Sequence, residues 1–172
     1  HSGKSSPIGR IGTLVKNKEL FYVLGALLGD GCIYSWGNKG GYKVILVGDK
    51  NFTDKYAKKL SRCISKNVKS YIDRSKNIWF VSIGNGKLYL LFKNMRENPQ
   101  RLLTLMKGKN FTENSLEFIE GFFDAEGCVK VIKEKVRKTP KICLDLTNTN
   151  KKFLDIVRFL LKDTLSIEAR YS

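Results

Sequence analysis

The chain has 172 residues, 42% of them hydrophobic, enough for one domain of ordinary size or for two small halves sharing a core. Lysine and arginine number 32 against 16 acids, a net charge of +16 that points to a polyanionic partner, nucleic acid first of all. No stretch approaches the apolar length that spans a bilayer and no signal-peptide pattern opens the sequence, so the expectation is a soluble, intracellular protein without a membrane partner. Four cysteines without a C-x-x-C pair, and a single histidine at position 1, argue against a zinc site and against a secreted disulfide framework.

In chain order, His1 to Arg10 is rich in glycine and serine and reads as part of a flexible tail over residues 1–12. Asn17 before Lys18-Glu19-Leu20 is a helix-start signal, and the helix it opens runs to a glycine at position 31. Cys32 to Trp36 reads as a strand, residues 37–41 as a turn and Tyr42 to Val47 as the returning strand. Asn51 to Lys66 has helical periodicity through Phe52, Tyr56, Leu60, Cys63 and Ile64. Two strands, Val68–Asp73 and Ile78–Ile83, precede a helix over Gly86–Met95. A connection over residues 99–112 contains a short apolar helix, Leu102–Met106.

The same order then begins again. Asn114-Ser115-Leu116-Glu117 has the spacing of a capping box and predicts a helix start. A strand follows from Cys128 to about Lys135, then a turn around Lys138–Pro140, a strand from Lys141 to Thr147 and a helix over about Asn150–Lys162. Ile167 to Tyr171 should begin a further strand. The expected fold is therefore α+β: two pseudo-symmetric αββαββα halves, at residues 13–98 and 113–172, the second lacking its last two elements. Of the net charge, residues 1–98 carry 18 basic and 6 acidic side chains, so the first half is the more basic.

The repeat is sharpest at the two helix ends. Val23-Leu24-Gly25-Ala26-Leu27-Leu28-Gly29-Asp30-Gly31 and Ile119-Glu120-Gly121-Phe122-Phe123-Asp124-Ala125-Glu126-Gly127 align without a gap, 96 residues apart (126 − 30). Both have glycine third and ninth, a small residue seventh and an acid eighth. Gly25 and Gly29, like Gly121 and Ala125, lie four apart and share a helix face, which lets two backbones approach closely. The two helices should pair there about a pseudo-twofold axis, with Gly31 and Gly127 ending them in the left-handed conformation. Asp30 and Glu126 then meet at helix C-termini, where the dipole disfavours a carboxylate and each repels the other. A hard divalent cation with oxygen ligands resolves that conflict, and Mg²⁺ is commonly held by one or two carboxylates plus substrate phosphates.

The paired stretches resemble the LAGLIDADG motifs of homing endonucleases, in the single-chain form that carries both; Ala26 and Leu28 are mild departures from the usual pattern. The resemblance implies a concave antiparallel β-saddle lying on duplex DNA, and a monomer acting on a long asymmetric target. It implies Mg²⁺ bound by Asp30 and Glu126 with the carbonyls of Gly29 and Ala125, Mn²⁺ as a substitute and Ca²⁺ as an ion that permits binding without cleavage. Lys43, Lys130 and Asn148 are candidates for the shell that orders water around the metals. Strand alternation turns Val44, Leu46, Ile142 and Leu144 inward, so Lys43 and Lys141 turn outward. By the same parity Tyr34, Trp36 and Lys130 belong to the DNA side, with Lys39 in the intervening turn.

With no interior histidine, a His general base is excluded, and nothing supports Ser/His/Asp or Cys/His hydrolase chemistry. Two readings stand. One is a site-specific double-strand DNA endonuclease, of the kind found in introns and inteins, in a prokaryotic cytoplasm or an organelle. The other is a non-catalytic nucleic-acid-binding protein of the same architecture, such as an intron-RNA maturase or a DNA-binding regulator.

Overall fold

The structure is a computed structural model that describes residues 12–36, 41–132, 139 and 141–171. Lys39, the turn expected at 138–140 apart from Thr139, and the expected tail apart from Gly12 lie outside the described residues. The element order is α1 (Lys18–Asp30), β1 (Gly31–Trp36), β2 (Gly41–Gly48), α2 (Lys50–Ile64), β3 (Tyr71–Asp73), β4 (Ile78–Ile83), α3 (Gly86–Glu97), α4 (Gln100–Met106), α5 (Phe111–Glu126), β5 (Gly127–Ile132), β6 (Lys141–Leu146) and α6 (Lys151–Leu165). The first half is thus αββαββα and the second αββα.

Asn17, Asp49, Asn85 and Asn150 each accept a backbone N–H at the start of α1, α2, α3 and α6, filling donors that a helix start leaves open. The capping box expected at Asn114 is not one. Helix α5 begins a turn earlier, at Phe111, and Ser115 lies inside it, donating its hydroxyl to the Phe111 carbonyl at 2.7 Å. The side chains of Asn114 and Ser115 are buried there, because this end of α5 packs against the rest of the core.

Helices α1 and α5 are the axis of the molecule. Ten consecutive residues of α1, Glu19 to Leu28, are buried, as expected of a helix covered on all sides rather than along one stripe. The contact with α5 is backbone against backbone. A Cβ at Gly25 would lie 2.3 Å from the Phe118 carbonyl oxygen, and one at Gly121 would lie 2.1 Å from that of Tyr22. One turn on, a Cβ at Gly29 would meet the Ala125 methyl at 2.4 Å. The small-residue faces therefore meet as the spacing predicted.

Gly31 and Gly127 correct the expected left-handed helix ends. Both are extended, with φ of −87° and −82°, because each helix runs straight into a strand. Glycine is required for space instead: a Cβ at Gly31 would lie 2.5 Å from the Leu27 carbonyl oxygen, and one at Gly127 would lie 2.4 Å from that of Phe123.

The first half builds a four-stranded antiparallel sheet in the order β1-β2-β4-β3. Val44 faces Ile33 and Ile83 across its neighbours, and Leu46 faces Val81; Val44, Leu46 and Val81 are buried against the helices. The second half pairs only β5 with β6. Gly127 faces Leu146 as Gly31 faces Leu46, so Val129, Val131, Ile142 and Leu144 fall on the helix-side face, as parity predicted. They are nevertheless exposed, Ile142 to 67% and Leu144 to 63%, because α6 does not cover this hairpin as α2 and α3 cover the first sheet. Two further expectations are corrected. Residues 167–171 form no strand, having no pairing partner among the described residues, and β3 begins only at Tyr71, where its pairing with Phe80 starts.

Candidate metal and nucleic-acid site

Helices α1 and α5 end on Asp30 and Glu126, and the crossing at Gly29 and Ala125 one residue earlier brings the two acids to the same place. The two carboxylates are close enough that the charge of Asp30 acts on Glu126. Protein around Asp30 partly desolvates its carboxyl and raises its pKa above the ordinary aspartate value, although the residue as a whole is exposed. Burial raises the pKa of Glu126 as well; the Asn148 amide, donating to Oε1 at 2.9 Å, opposes that rise, and the charge of Asp30 adds to it. Each acid is thus held where its ionised form is disfavoured, the condition under which a cation is welcome.

Among the described residues no group of three or more His, Cys, Asp or Glu side chains converges on one point. The oxygens available at the helix feet are two carboxylates and neighbouring backbone carbonyls. That donor set suits a hard cation that completes its shell with water and phosphate, and it does not suit a closed protein cage. The Gly29 and Ala125 carbonyls belong to the last turns of α1 and α5, where main-chain acceptors lack a helical partner.

Asn148 sits in the segment after β6, and its amide also lies 3.5 Å from the Leu28 carbonyl, so it ties α1 to α5 at the acids. An open cleft of about 370 Å³ runs past Glu126 and Asn148 and is also lined by Gly29, Phe92 and Arg96. Sequence reasoning missed Arg96, an exposed cation at the end of α3 that only the packing of α3 beside the motif helices brings to the acids' side. It also missed Asp145. Lys130 reaches that residue, with Nζ 2.5 Å from the Asp145 carboxylate, so a cation read as part of the water-ordering shell is engaged by its neighbour on β6.

The remaining candidates divide by face. Register places Tyr34 opposite Lys43 and Trp36 opposite Gly41 on the side of the first sheet away from the helices. Tyr34 and Trp36 are exposed and Lys43 half-exposed. Lys141 lies opposite Ile132 and is exposed on the corresponding side of the second hairpin.

Behind the acids, Asp124 of the second motif accepts a hydrogen bond from the buried Tyr22 hydroxyl at 2.7 Å, while Lys55 of α2 bridges Asp124 and Glu120 at 2.6 Å each. Burial, and then the Asp124 contact, raise the Tyr22 pKa strongly. This network binds α2 to the motif pair without reaching the metal side.

Paired helices packed on glycine and alanine, each closing on an acid and passing directly into an antiparallel hairpin, define the LAGLIDADG class. Comparison with known proteins agrees. Residues 113–172 match the model of the LAGLIDADG-like domain. The structure is similar to mesophilic variants of the homing endonuclease I-DmoI (23% identical, TM-score 0.61, covering 88% of this chain and 78% of that one). It is similar also to I-DmoI in complex with DNA and Ca (25% identical, TM-score 0.60, 88% and 73%). The N-terminal LAGLIDADG domain of WhiA shares the fold at 14% identity and a TM-score of 0.57, over 91% of this chain and 69% of that one. An uncharacterised protein of Methanocaldococcus jannaschii, MJ0398, is 29% identical over 146 residues, 83% of this chain and 51% of its own; the chain spans about half the length of that curated relative. Residues 113–172 thus carry a LAGLIDADG-like domain, and the chain as a whole has the fold of the LAGLIDADG homing endonucleases, with one motif helix in each half. No helix among the described residues is long and apolar enough to cross a membrane.

Proposed function

We propose that the protein is a metal-dependent endonuclease that cuts both strands of a long, asymmetric DNA site as a monomer. The juxtaposition of Asp30 and Glu126 at the feet of two helices that cannot separate carries this reading. A protein that only binds nucleic acid has no use for two opposed carboxylates beside phosphates. The solved structures of I-DmoI with DNA and Ca, and with DNA and Mn, support a DNA partner and a divalent ion.

Asp30 and Glu126 would each hold a Mg²⁺ ion, with the Gly29 and Ala125 carbonyls adding oxygens. Such an ion, when bound, supplies Lewis-acid stabilisation of the phosphate and lowers the pKa of water. The chain's own residues do the positioning. The close helix crossing fixes the separation of the two acids, one for each strand. Asn148 orients the Glu126 carboxylate and favours its ionised form against the desolvation around it. Lys43, on the outer face of the first sheet, and Arg96, in the cleft beside Glu126, can steady the scissile phosphates; Lys130, already engaged by Asp145, serves affinity rather than water activation. Lys39, Lys141, Tyr34 and Trp36 supply surface to the duplex.

The experiment is incubation with a randomised duplex library in Mg²⁺ and, separately, in Ca²⁺, with sequencing of any cut ends. Discrete double-strand breaks in Mg²⁺ alone support the endonuclease and give its target. Selective binding without cleavage in either ion favours the second reading, a non-catalytic nucleic-acid-binding protein.

A further inference from the structure

The pairing that brings two helix C-termini to the acids also brings two N-termini together at the opposite end. Lys18, the first residue of α1, holds Glu113 in the first turn of α5 through a 2.8 Å ion pair, so the helix starts lie side by side. Their dipoles place partial positive charge here, as they place negative charge at the acids. An open cleft of about 180 Å³ at these starts is lined by the buried Phe21 and by Lys16, Lys18, Lys107, Lys109 and Asn114. Lys16, Lys107 and Lys109 are exposed, and none forms an ion pair among the described residues. Of the acids in the two first turns, Glu113 is held by Lys18 and Glu19 by Arg62. Asn114 is what an ordinary basic surface does not explain. It lines the cleft and is only 9% exposed, yet its side-chain amide has no hydrogen-bond partner among the described residues. Buried amides are almost always satisfied, by protein, water or ligand. Helix α5 also starts without a side-chain cap, and the main-chain N–H groups of Thr112 and Glu113 have no acceptor among the described residues.

We infer that this cleft binds a phosphate group. A phosphate has oxygens enough to accept from the Asn114 amide, from main-chain N–H groups at the helix start and from the lysines together. It also carries the charge that helix N-termini favour. Lys107 and Lys109 flank Gly108, whose φ of +130° turns the loop before α5, so both ammonium groups stand at the rim on short, adjacent anchors. The 13 residues of α1 and the 16 of α5 put the cleft roughly 18–23 Å from the acids, at 1.5 Å per residue. A phosphate held here therefore does not belong to a bond being cut at Asp30 and Glu126. It comes from the backbone of a second stretch of nucleic acid or from a free phosphate compound. The inference goes beyond the endonuclease reading and needs neither acid.

The test adds inorganic phosphate to the metal-free protein at constant ionic strength, balanced with chloride, while amide NMR spectra are recorded. The expected result is a saturable shift of the Asn114 side-chain amide and of the Thr112 and Glu113 main-chain signals, which chloride alone does not produce. Replacing both rim lysines, Lys107→Gln with Lys109→Gln, should weaken phosphate binding about tenfold or more, in line with the loss of charge-assisted contacts. Asn114→Leu should abolish the saturable shift at Thr112 and Glu113. Should that buried variant fail to fold, the lysine double variant, altered only at exposed positions, decides alone. Oligothymidine then separates the two sources. Its displacement of phosphate from the Asn114 signal assigns the site to a nucleic-acid strand, and failure to displace assigns it to a free phosphate compound. No saturable shift, an equal shift with chloride, or unchanged phosphate affinity in the lysine double variant would each overturn the inference. An Asp30→Asn protein should bind phosphate as wild type does whatever becomes of cleavage, so this inference and the endonuclease reading fail separately.

Discussion

The Asn148 amide donates to the Glu126 carboxylate at 2.9 Å and so joins the segment after β6 to the foot of α5. Groups that orient a metal-binding carboxylate tune its affinity, and losing one commonly costs 10- to 100-fold. Asn148→Ala should therefore weaken Mg²⁺ or Mn²⁺ binding by about tenfold or more. It should also raise the Glu126 pKa further, since the hydrogen bond that favours the ionised form is gone. Calorimetric titration with Mn²⁺ reads the first effect, and carboxyl NMR titration of Glu126 the second. Unchanged Mn²⁺ affinity would remove Asn148 from the site.

The raised pKa values of Asp30 and Glu126 make a prediction about stability. An acid whose pKa is higher folded than unfolded binds more protons in the native state, so stability falls as pH rises from the ordinary carboxylate range through the folded value. Asp30→Asn and Glu126→Gln should thus raise the melting temperature at pH 7, with the gain vanishing below about pH 4, where the wild-type acids are also neutral. Added Mg²⁺ should stabilise wild type more than either variant, because each variant keeps only one of the two carboxylates and a ligand of the folded state stabilises only what binds it. Neither variant should cleave. A variant less stable than wild type at neutral pH would mean that the acids are structural partners and not an unrelieved repulsion.

The acids, the crossing helices and the first sheet were legible because they rest on local patterns: a repeat in register, small residues four apart, and period-2 alternation. What failed depended on neighbours the pattern does not contain. The capping spacing at Asn114 is genuine as a spacing, yet α5 has one more turn ahead of it, and packing turned Ser115 inward to the Phe111 carbonyl. Parity placed Ile142 and Leu144 on the helix-side face but could not say whether anything covers that face. Arg96 left no signal at all, since its place beside Glu126 and Asn148 is set by the packing of α3.

The helix crossing can be tested by exchange. At Gly29 the obstacles to a side chain are the Ala125 methyl at 2.4 Å and the Glu126 Cγ at 2.9 Å, not backbone, so Gly29→Ala should destabilise by about 1–3 kcal/mol, an ordinary overpacking cost. Adding Ala125→Gly removes that methyl and should recover part of the loss, giving a coupling above about 0.5 kcal/mol in a double-mutant cycle. At Gly25 the obstacle is the Phe118 carbonyl oxygen and the Phe122 amide nitrogen, which no substitution removes. Gly25→Val should then cost about 3 kcal/mol or more and have no such rescue. Urea unfolding of wild type, the two single variants, the double variant and Gly25→Val measures these costs; strictly additive effects at Gly29 and Ala125 would refute the contact.

The two hairpins present leucines on their helix-side faces in unequal surroundings, and that sets up the last comparison. Leu46 of β2 and Leu144 of β6 both lie on helix-side faces, but Leu46 is fully buried and Leu144 is 63% exposed. Leu46→Ala removes packed methyl groups from a closed core and should cost about 2–5 kcal/mol. Leu144→Ala leaves no cavity, because nothing among the described residues packs over it, and should change stability by no more than about 0.5 kcal/mol. Its effect should appear instead in self-association, since Val129, Val131, Ile142 and Leu144 form an open apolar patch of the kind that promotes contact between molecules. Denaturant unfolding and sedimentation on both variants check the pair. A Leu144→Ala cost equal to that of Leu46→Ala would show that the second hairpin's face is covered in solution.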